Sequence, residues 1–259
     1  MKFVEQMFGL QGKVAVVIGG GGVLAGAMAK GLAQAGADIA ILDLNPDSAQ
    51  AMADTIKAEG VKSIAISVNA TARQQLQDAE QQVTSELGKV DILINAPGIN
   101  SSTPFFDILE DEYDKIMSVN LKSMFLASQV FGKAMIEAGK KGSIINISSA
   151  SSGPPLSKVF TYSISKAGVN NLTQYLAREW ANDGVRVNAI APGFFPAEQN
   201  RKILTEERVA DIMRHTPMQR FGESEELVGA TVWLASENAS SFVTGAIIRV
   251  DGGYTAMTI

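Results

Sequence analysis

The chain predicts an α/β fold in which a doubly wound parallel sheet of seven strands carries helices on both faces, and three observations lead there. Apolar runs of strand length alternate with longer helical stretches from one end to the other. The runs are rich in Val, Ile and Ala without polar alternation, as strands covered on both faces require. Each gap after the first run carries a helical pattern long enough for a right-handed crossover.

The elements follow in order. VAVVI (14–18) opens the sheet, meets four glycines at 19–22 and leaves as an alanine-rich helix. ADIAIL (37–42), SIAISV (63–68) and VDILIN (90–95) are the next three strands, each after a helical stretch. GSIINIS (142–148) follows a long helical region around 107–139, and VRVNAIA (185–191) follows another around 160–183. AIIRV (246–250) completes the seven. No Pro/Ser-rich linker, repeat or low-complexity run interrupts residues 1–259, which predicts one domain. The least regular segments, 96–106 and 192–222, both follow strand C-terminal ends, where open α/β sheets bind ligands. They are the predicted walls of a pocket, with a substrate lid at about 193–222.

Composition excludes several classes of chemistry. With 22 basic against 27 acidic residues the net charge is −5, and no Lys/Arg block exists to follow a polyanion, so nucleic acid is not an expected partner. The absence of cysteine removes disulfides and thiolate chemistry, and a single histidine, His215, argues against a histidine metal site or a serine-hydrolase triad. No metal site is expected. The opening MKFVEQMFGLQGK carries charges within its apolar stretch, and no run of about 18 apolar residues follows, so a cytoplasmic protein without a membrane span is expected.

The glycine stretch lies between the first strand and the first helix, where backbone amides and the positive helix end attract phosphate. Gly20, Gly22 and Ala25 satisfy the loose G-x-G-x-x-G/A form, which is weak by itself. The next strand ends ILDLN and puts Asp43 about 20 residues beyond the turn, where a carboxylate can accept both hydroxyls of an adenosine ribose. A negative charge there favours NAD over NADP, because it repels a 2′-phosphate.

Tyr162 and Lys166, four apart on a predicted helix, project from one face. A phenol of ordinary pKa ~10 is a poor base at neutral pH, but a cation at ~4 Å is worth up to ~4 kcal/mol at an effective dielectric of about 20. The pair therefore predicts a phenol lowered toward the range useful for proton transfer. Ser149 ends the preceding strand, where its hydroxyl can hold a carbonyl or alkoxide oxygen.

Together these motifs resemble the short-chain dehydrogenase/reductase family along essentially the whole chain. NAPG (95–98), VN (119–120), ISS before YSISK, NAIAPG (188–193) and VTGAIIRVDGG (243–253) carry the resemblance with the glycine turn. It implies a single NAD(P)-binding Rossmann domain and a serine thirteen positions before the tyrosine, which selects Ser149 over Ser148. It further implies that Tyr162 is the general acid/base, that Lys166 binds the nicotinamide ribose and that Asn120 supports a water-mediated proton relay. The cofactor set it suggests is Gly19, Gly21, Gly22, Val23, Leu24, Asp43, Asn69, Ala70, Asn95, Ala96, Tyr162, Lys166, Pro192 and Gly193. A homotetramer built on the helices around 107–139 and 160–183 is also implied.

Some positions depart from the family pattern. Ile18 replaces a threonine, and Val23 and Ala25 replace glycines of the turn. The expectation is that Gly20–Gly22 take up the sharp conformation one step early and Val23 starts the helix. Asn69 stands where an aspartate usually meets the adenine amino group, with its amide oxygen as the substitute acceptor. Ala197 stands where a threonine often contacts the nicotinamide carboxamide.

GGGGVLAGAMAK, PGFFPAEQNR and HTPMQRFG resemble the branch that includes D-mannonate oxidoreductases (fructuronate reductases) and, more loosely, gluconate and other sugar dehydrogenases. A sugar acid needs a cation for its carboxylate and partners for its hydroxyls. Arg201, Lys158, Gln199, Asn200 and His215 are the candidates beside Ser149 and Phe195. Phe194, Phe195 and Phe160 could instead form an apolar wall for a less polar ketone or an acyl thioester, although the lid offers only the scattered cations Arg201, Lys202, Arg208 and Arg214 to a carrier protein. A non-catalytic NAD(H) sensor on the same fold is the alternative of another class, but a sensor has no use for a coupled proton donor.

Overall fold

A computed structural model describes residues 2–139, 141–196 and 205–257. Helix α1 (Phe3–Phe8) leads into β1 (Val14–Ile18), α2 (Val23–Gln34), β2 (Asp38–Asp43), α3 (Pro46–Lys57), β3 (Ser63–Ser67), α4 (Arg73–Glu86) and β4 (Ile92–Asn95). The second half runs α5 (Glu110–Met117), α6 (Ser123–Glu137), β5 (Gly142–Ile147), α7 (Phe160–Trp180), β6 (Val185–Pro192), α8 (Glu206–His215), α9 (Val228–Ala235), α10 (Glu237–Ser240) and β7 (Ile247–Val250). The seven strands form one parallel sheet in the order β3-β2-β1-β4-β5-β6-β7. Every apolar run predicted as a strand is one, with ends displaced by no more than two residues.

Residues of period two divide the core. Ala15, Val17, Ile39, Ile41, Ile92, Ile94 and Ile145 face one apolar layer with Met28 and Leu32 of α2 and Ala53 and Ile56 of α3. Their neighbours Val14, Val16, Ile18, Ala40, Leu42, Leu93 and Ile144 face the other, with Leu76 of α4, Phe131 of α6 and Leu176 of α7. Strands covered on both faces explain why the sequence shows no polar alternation. The strand order reverses between β1 and β4, and a crevice opens there at the C-terminal edge.

Two local devices shape that edge. Gly19 carries a φ of +76° at the end of β1, and a Cβ on it would lie 3.1 Å from the carbonyl carbon and oxygen of Ala96, so the turn passes close over β4. Between α5 and α6, residues Ser118–Lys122 form a π-helical turn that lets Asn120 reach out of the helical ladder.

Candidate active site

Four strand ends meet around one cavity of about 540 Å³. The β1 turn contributes Gly19, Gly22, Val23 and Leu24; the β4 loop Ala96, Gly98, Ile99 and Asn100; the β5 loop Ile147–Ala150 and Leu156; α7 contributes Tyr162 and Lys166; and β6 ends in Pro192, Gly193, Phe194 and Phe195. A larger groove of about 790 Å³ along α5, α6 and α7 contains none of the side chains singled out for catalysis.

At the turn, Gly22 is the N-cap residue of α2 and no side chain caps the helix. The first-turn amides have no acceptor within the helix, and Val23, Leu24 and Ala25 line the cavity. An uncapped helix N-terminus opening into a cavity fits the pyrophosphate of a dinucleotide. Val23 begins the helix, as the shifted turn requires, but the expected conformation sits elsewhere: Gly19 alone among the four glycines takes a positive φ. Gly21 does not line the cavity, because its amide donates to Asp43 Oδ2 at 3.0 Å. Asp43 Oδ1 accepts from Asn45 N at 3.0 Å. Each carboxylate oxygen thus keeps a free lone pair, although Asp43 is not itself among the residues lining the cavity.

The catalytic group converges from β5 and α7. Lys166 is 3% exposed and its Nζ donates to the Ile147 carbonyl at 2.8 Å. Burial pulls its pKa from 10.5 down to about 8. Nζ stands 5.6 Å from the centroid of the Tyr162 ring. The expected lowering of the phenol is not what this arrangement gives: burial raises the Tyr162 pKa, and the hydrogen bond with Ser149 works against it. The ammonium is itself desolvated and directed at a carbonyl, so removal from water governs both groups.

Ser149 is set up as a donor. Its Oγ accepts from Ser151 N at 3.2 Å and lies 3.1 Å from Ser151 Oγ, which fills its lone pairs and leaves its own proton for Tyr162 or a substrate oxygen. Ser148 points elsewhere, to Asn170 Oδ1 at 2.6 Å, in keeping with the choice of Ser149.

Asn120 is buried and clamps the β4 loop: Oδ1 accepts from Ile99 N at 2.8 Å and Nδ2 donates to Ile99 O at 2.9 Å and Ser165 Oγ at 3.1 Å. Asn95 does not reach the cavity, because it is fully buried and its Nδ2 donates to Asn146 Oδ1 at 2.9 Å. Asn69 Oδ1 already accepts from Thr71 N at 3.0 Å and Thr71 Oγ1 at 2.8 Å, and neither it nor Ala70 lines the cavity.

The predicted substrate residues are only partly gathered. Phe195 lines the cavity, and Gly222 N donates to Phe194 O at 2.9 Å, tying the start of the lid segment to its end. Lys158 and His215 are exposed and outside the cavity; Lys158 has a φ of +64°, and His215 Nδ1 is 2.9 Å from Asp211 O on its own helix. Phe160 packs edge-on against Phe105, outside the cavity. Ala197, Gln199, Asn200, Arg201 and Lys202 lie outside the described residues. Among the described lining residues Lys166 is the one cation. Ser151, Asn170, the Ile147 carbonyl, Asn100 and Leu156 are not marked by the sequence, since no motif spacing reveals a neighbour made by the crossing of a loop over a helix.

A family model described as enoyl-(acyl carrier protein) reductase matches residues 22–255. The chain is 41% identical to the uncharacterized oxidoreductase UxuB of Bacillus subtilis, over 95% of this chain and 96% of that one. The chain belongs to the short-chain dehydrogenase/reductases. A candidate D-mannonate oxidoreductase from Haemophilus influenza, solved with bound NAD, superposes with a TM-score of 0.93 at 37% identity, covering 98% of this chain and 99% of that one. A gluconate 5-dehydrogenase from Burkholderia cenocepacia, solved with NADP and tartrate, has a TM-score of 0.93 at 33% identity, covering 98% and 100%. This short-chain dehydrogenase/reductase is thus an NAD(P)-dependent oxidoreductase of CH–OH groups. Among its described residues no helix is long and apolar enough to cross a membrane.

Proposed function

We propose that the enzyme interconverts a secondary hydroxyl and a ketone on a sugar acid or polyol, as its gluconate 5-dehydrogenase relatives do, with a D-mannonate/D-fructuronate pair as the first candidate, supported by the D-mannonate oxidoreductase-like neighbour. The observation that carries the chemistry is the meeting of Ser149, Tyr162 and Lys166 on the cavity into which the uncapped α2 N-terminus opens. A nicotinamide dinucleotide, when bound, supplies or accepts the hydride. Ser149 donates its hydrogen bond to the substrate oxygen. Tyr162 Oη exchanges the hydroxyl proton, giving it up in reduction and taking it in oxidation. Lys166 holds positive charge beside the phenol and offers donors to the nicotinamide ribose, while Asn120 keeps the β4 loop in register over the site and supports the proton path. Pro192 and Gly193 line the cavity and would flank a bound nicotinamide.

Asp43 supports NAD as the working cofactor, because its carboxylate, held by two amides, would repel a 2′-phosphate on the adenosine ribose. The segment at about 193–222 is the lid, with Arg201, Gln199 and Asn200 as the groups that meet the substrate carboxylate and hydroxyls. The wall of Ile99, Leu156, Phe194 and Phe195 favours a second reading, reduction of a less polar ketone or 3-oxoacyl thioester. A cytoplasmic homotetramer is the proposed assembly, supported by the groove lined by Met117, Leu121, Phe125, Leu172 and Tyr175; light scattering at a monomer mass would refute it.

The deciding assay follows NADH and NADPH absorbance with D-fructuronate, 5-keto-D-gluconate, D-mannonate, an apolar ketone and an acetoacetyl thioester. Turnover of a sugar acid with NADH is the expected outcome. Turnover confined to the apolar ketone or thioester would establish the second reading, and tight NADH binding without any turnover would make the protein a sensor.

A further inference from the structure

Tyr162 and Lys166 are the first two members of a stripe on α7 that continues one turn further to Asn170. All three meet the same six residues of the β5 loop. Lys166 takes the Ile147 carbonyl, Tyr162 meets Ser149, and Asn170 joins both ends of the loop. Its Oδ1 accepts from Ser148 Oγ at 2.6 Å, and its Nδ2 donates to Ser152 Oγ at 2.8 Å. Ser152 Oγ in turn donates to the Ser149 carbonyl at 2.7 Å. The amide has one acceptor and one donor face, and each is used on a different side of Ser149. We infer that Asn170 is a positioning residue for the reaction: by holding Ser148 and Ser152 it fixes the backbone of Ser149, and so the reach of the Ser149 hydroxyl to Tyr162 and to the substrate oxygen.

The local packing makes the inference testable. A cavity of about 370 Å³ lies behind the loop, lined by Ser149, Ser152, Asn170, Ala191, Ile248 and Thr255 among others. Truncating Asn170 therefore enlarges existing space instead of opening a void in a closed core, and the variant is expected to fold. The role rests on the proposed function of Ser149 and Tyr162, but its test does not need the substrate. Among the described residues lining the active-site cavity, from the β1 turn, the β4 and β5 loops, α7 and the end of β6, Lys166 is the one charged group facing the phenol. The Ser149 hydrogen bond lowers the phenol pKa, so weakening it raises the pH at which Tyr162 ionises.

The experiment is an ultraviolet difference titration near 295 nm of the cofactor-free protein, with Tyr162→Phe subtracted to isolate the Tyr162 signal. Asn170→Ala and Ser152→Ala should each move that titration to higher pH, in the direction of Ser149→Ala, and adding Asn170→Ala to Ser149→Ala should move it no further. With any substrate the wild type turns over, kcat should fall about 10- to 100-fold at little changed KM, as expected for a misplaced reacting group. A wild-type Tyr162 titration in folded Asn170→Ala, or a shift that adds to that of Ser149→Ala, overturns the inference. Should Asn170→Ala fail to fold, Ser152→Ala decides by the same criteria. Absence of turnover with every substrate of the panel would count against the proposed activity and leave the titration result standing.

Discussion

Replacing Lys166 with methionine separates what the buried ammonium contributes to chemistry from what it costs the fold. Lys166 is 3% exposed, and burial brings its pKa from 10.5 to about 8. Between those two pH values the unfolded chain holds a proton that the folded chain has released. Stability contributed through this group therefore rises with pH across the window and is level below and above it. The separation of 10.5 and about 8, at about 1.4 kcal/mol per unit, corresponds to about 3 kcal/mol over the whole window. Methionine keeps the length and apolar stem but cannot titrate. Removal of the ammonium leaves the Ile147 carbonyl without its donor, at a cost of about 1–3 kcal/mol that does not depend on pH. The pH slope is consequently the cleaner quantity. Urea unfolding of wild type and Lys166→Met, in parallel at pH 7, 8, 9 and 9.5, should show the wild type gaining about 1 kcal/mol or more on the variant between pH 7 and 9. Parallel stability curves through this range would refute the assignment of a desolvated, proton-releasing lysine. The same variant should lose turnover at every pH, since it has neither charge beside the phenol nor a donor for the ribose.

Other substitutions test the remaining parts of the site. Tyr162→Phe should reduce turnover by at least about 10²-fold with NADH affinity, read by fluorescence, unchanged; retained turnover would remove Tyr162 from proton exchange. Asp43→Ser should lower the ratio of kcat/KM for NADH over NADPH, and an unchanged ratio would show that Asp43 does not read the ribose. Gly19→Ala places a side chain at a φ of +76°, 3.1 Å from the Ala96 carbonyl. It should lower the stability by roughly 1–2 kcal/mol from the backbone conformation alone, read from the urea midpoint, and weaken NADH binding as the turn shifts; an unchanged midpoint and affinity would show that the turn tolerates a Cβ there.

Much of this molecule is legible as a string. Apolar runs without polar alternation are a property of strands buried on both faces, and the core divides VAVVI residue by residue between its two layers. Helical spacing puts Tyr162 and Lys166 on one face wherever α7 happens to lie, because the period of a helix is local. The turn is less legible. Four glycines in a row do not say which one takes the positive φ, and Gly19 does so because it must pass over Ala96, a neighbour 77 positions away that only the pairing of β1 with β4 supplies.

Reach and solvation were decided by the tertiary structure. Asn95 and Asn120 are both polar residues in motif positions, yet one is consumed inside the sheet by Asn146 and the other clamps Ile99 across a π-helical turn. Lys158 and His215 are near the site in sequence and outside it in space. The sign of the Tyr162 shift also depended on the fold, because a cation four residues away lowers a phenol in water, whereas burial of the phenol itself raises it. By itself the amino-acid sequence determined the sheet and the chemistry-bearing residue types, which follow from local periodicity and spacing, and the family, which follows from the resemblance of its motifs. Which hydroxyl donates, which partner each asparagine takes and how a lysine titrates were settled by contacts distant in sequence, since hydrogen-bond partners and loss of water exist only once the chain has closed around them.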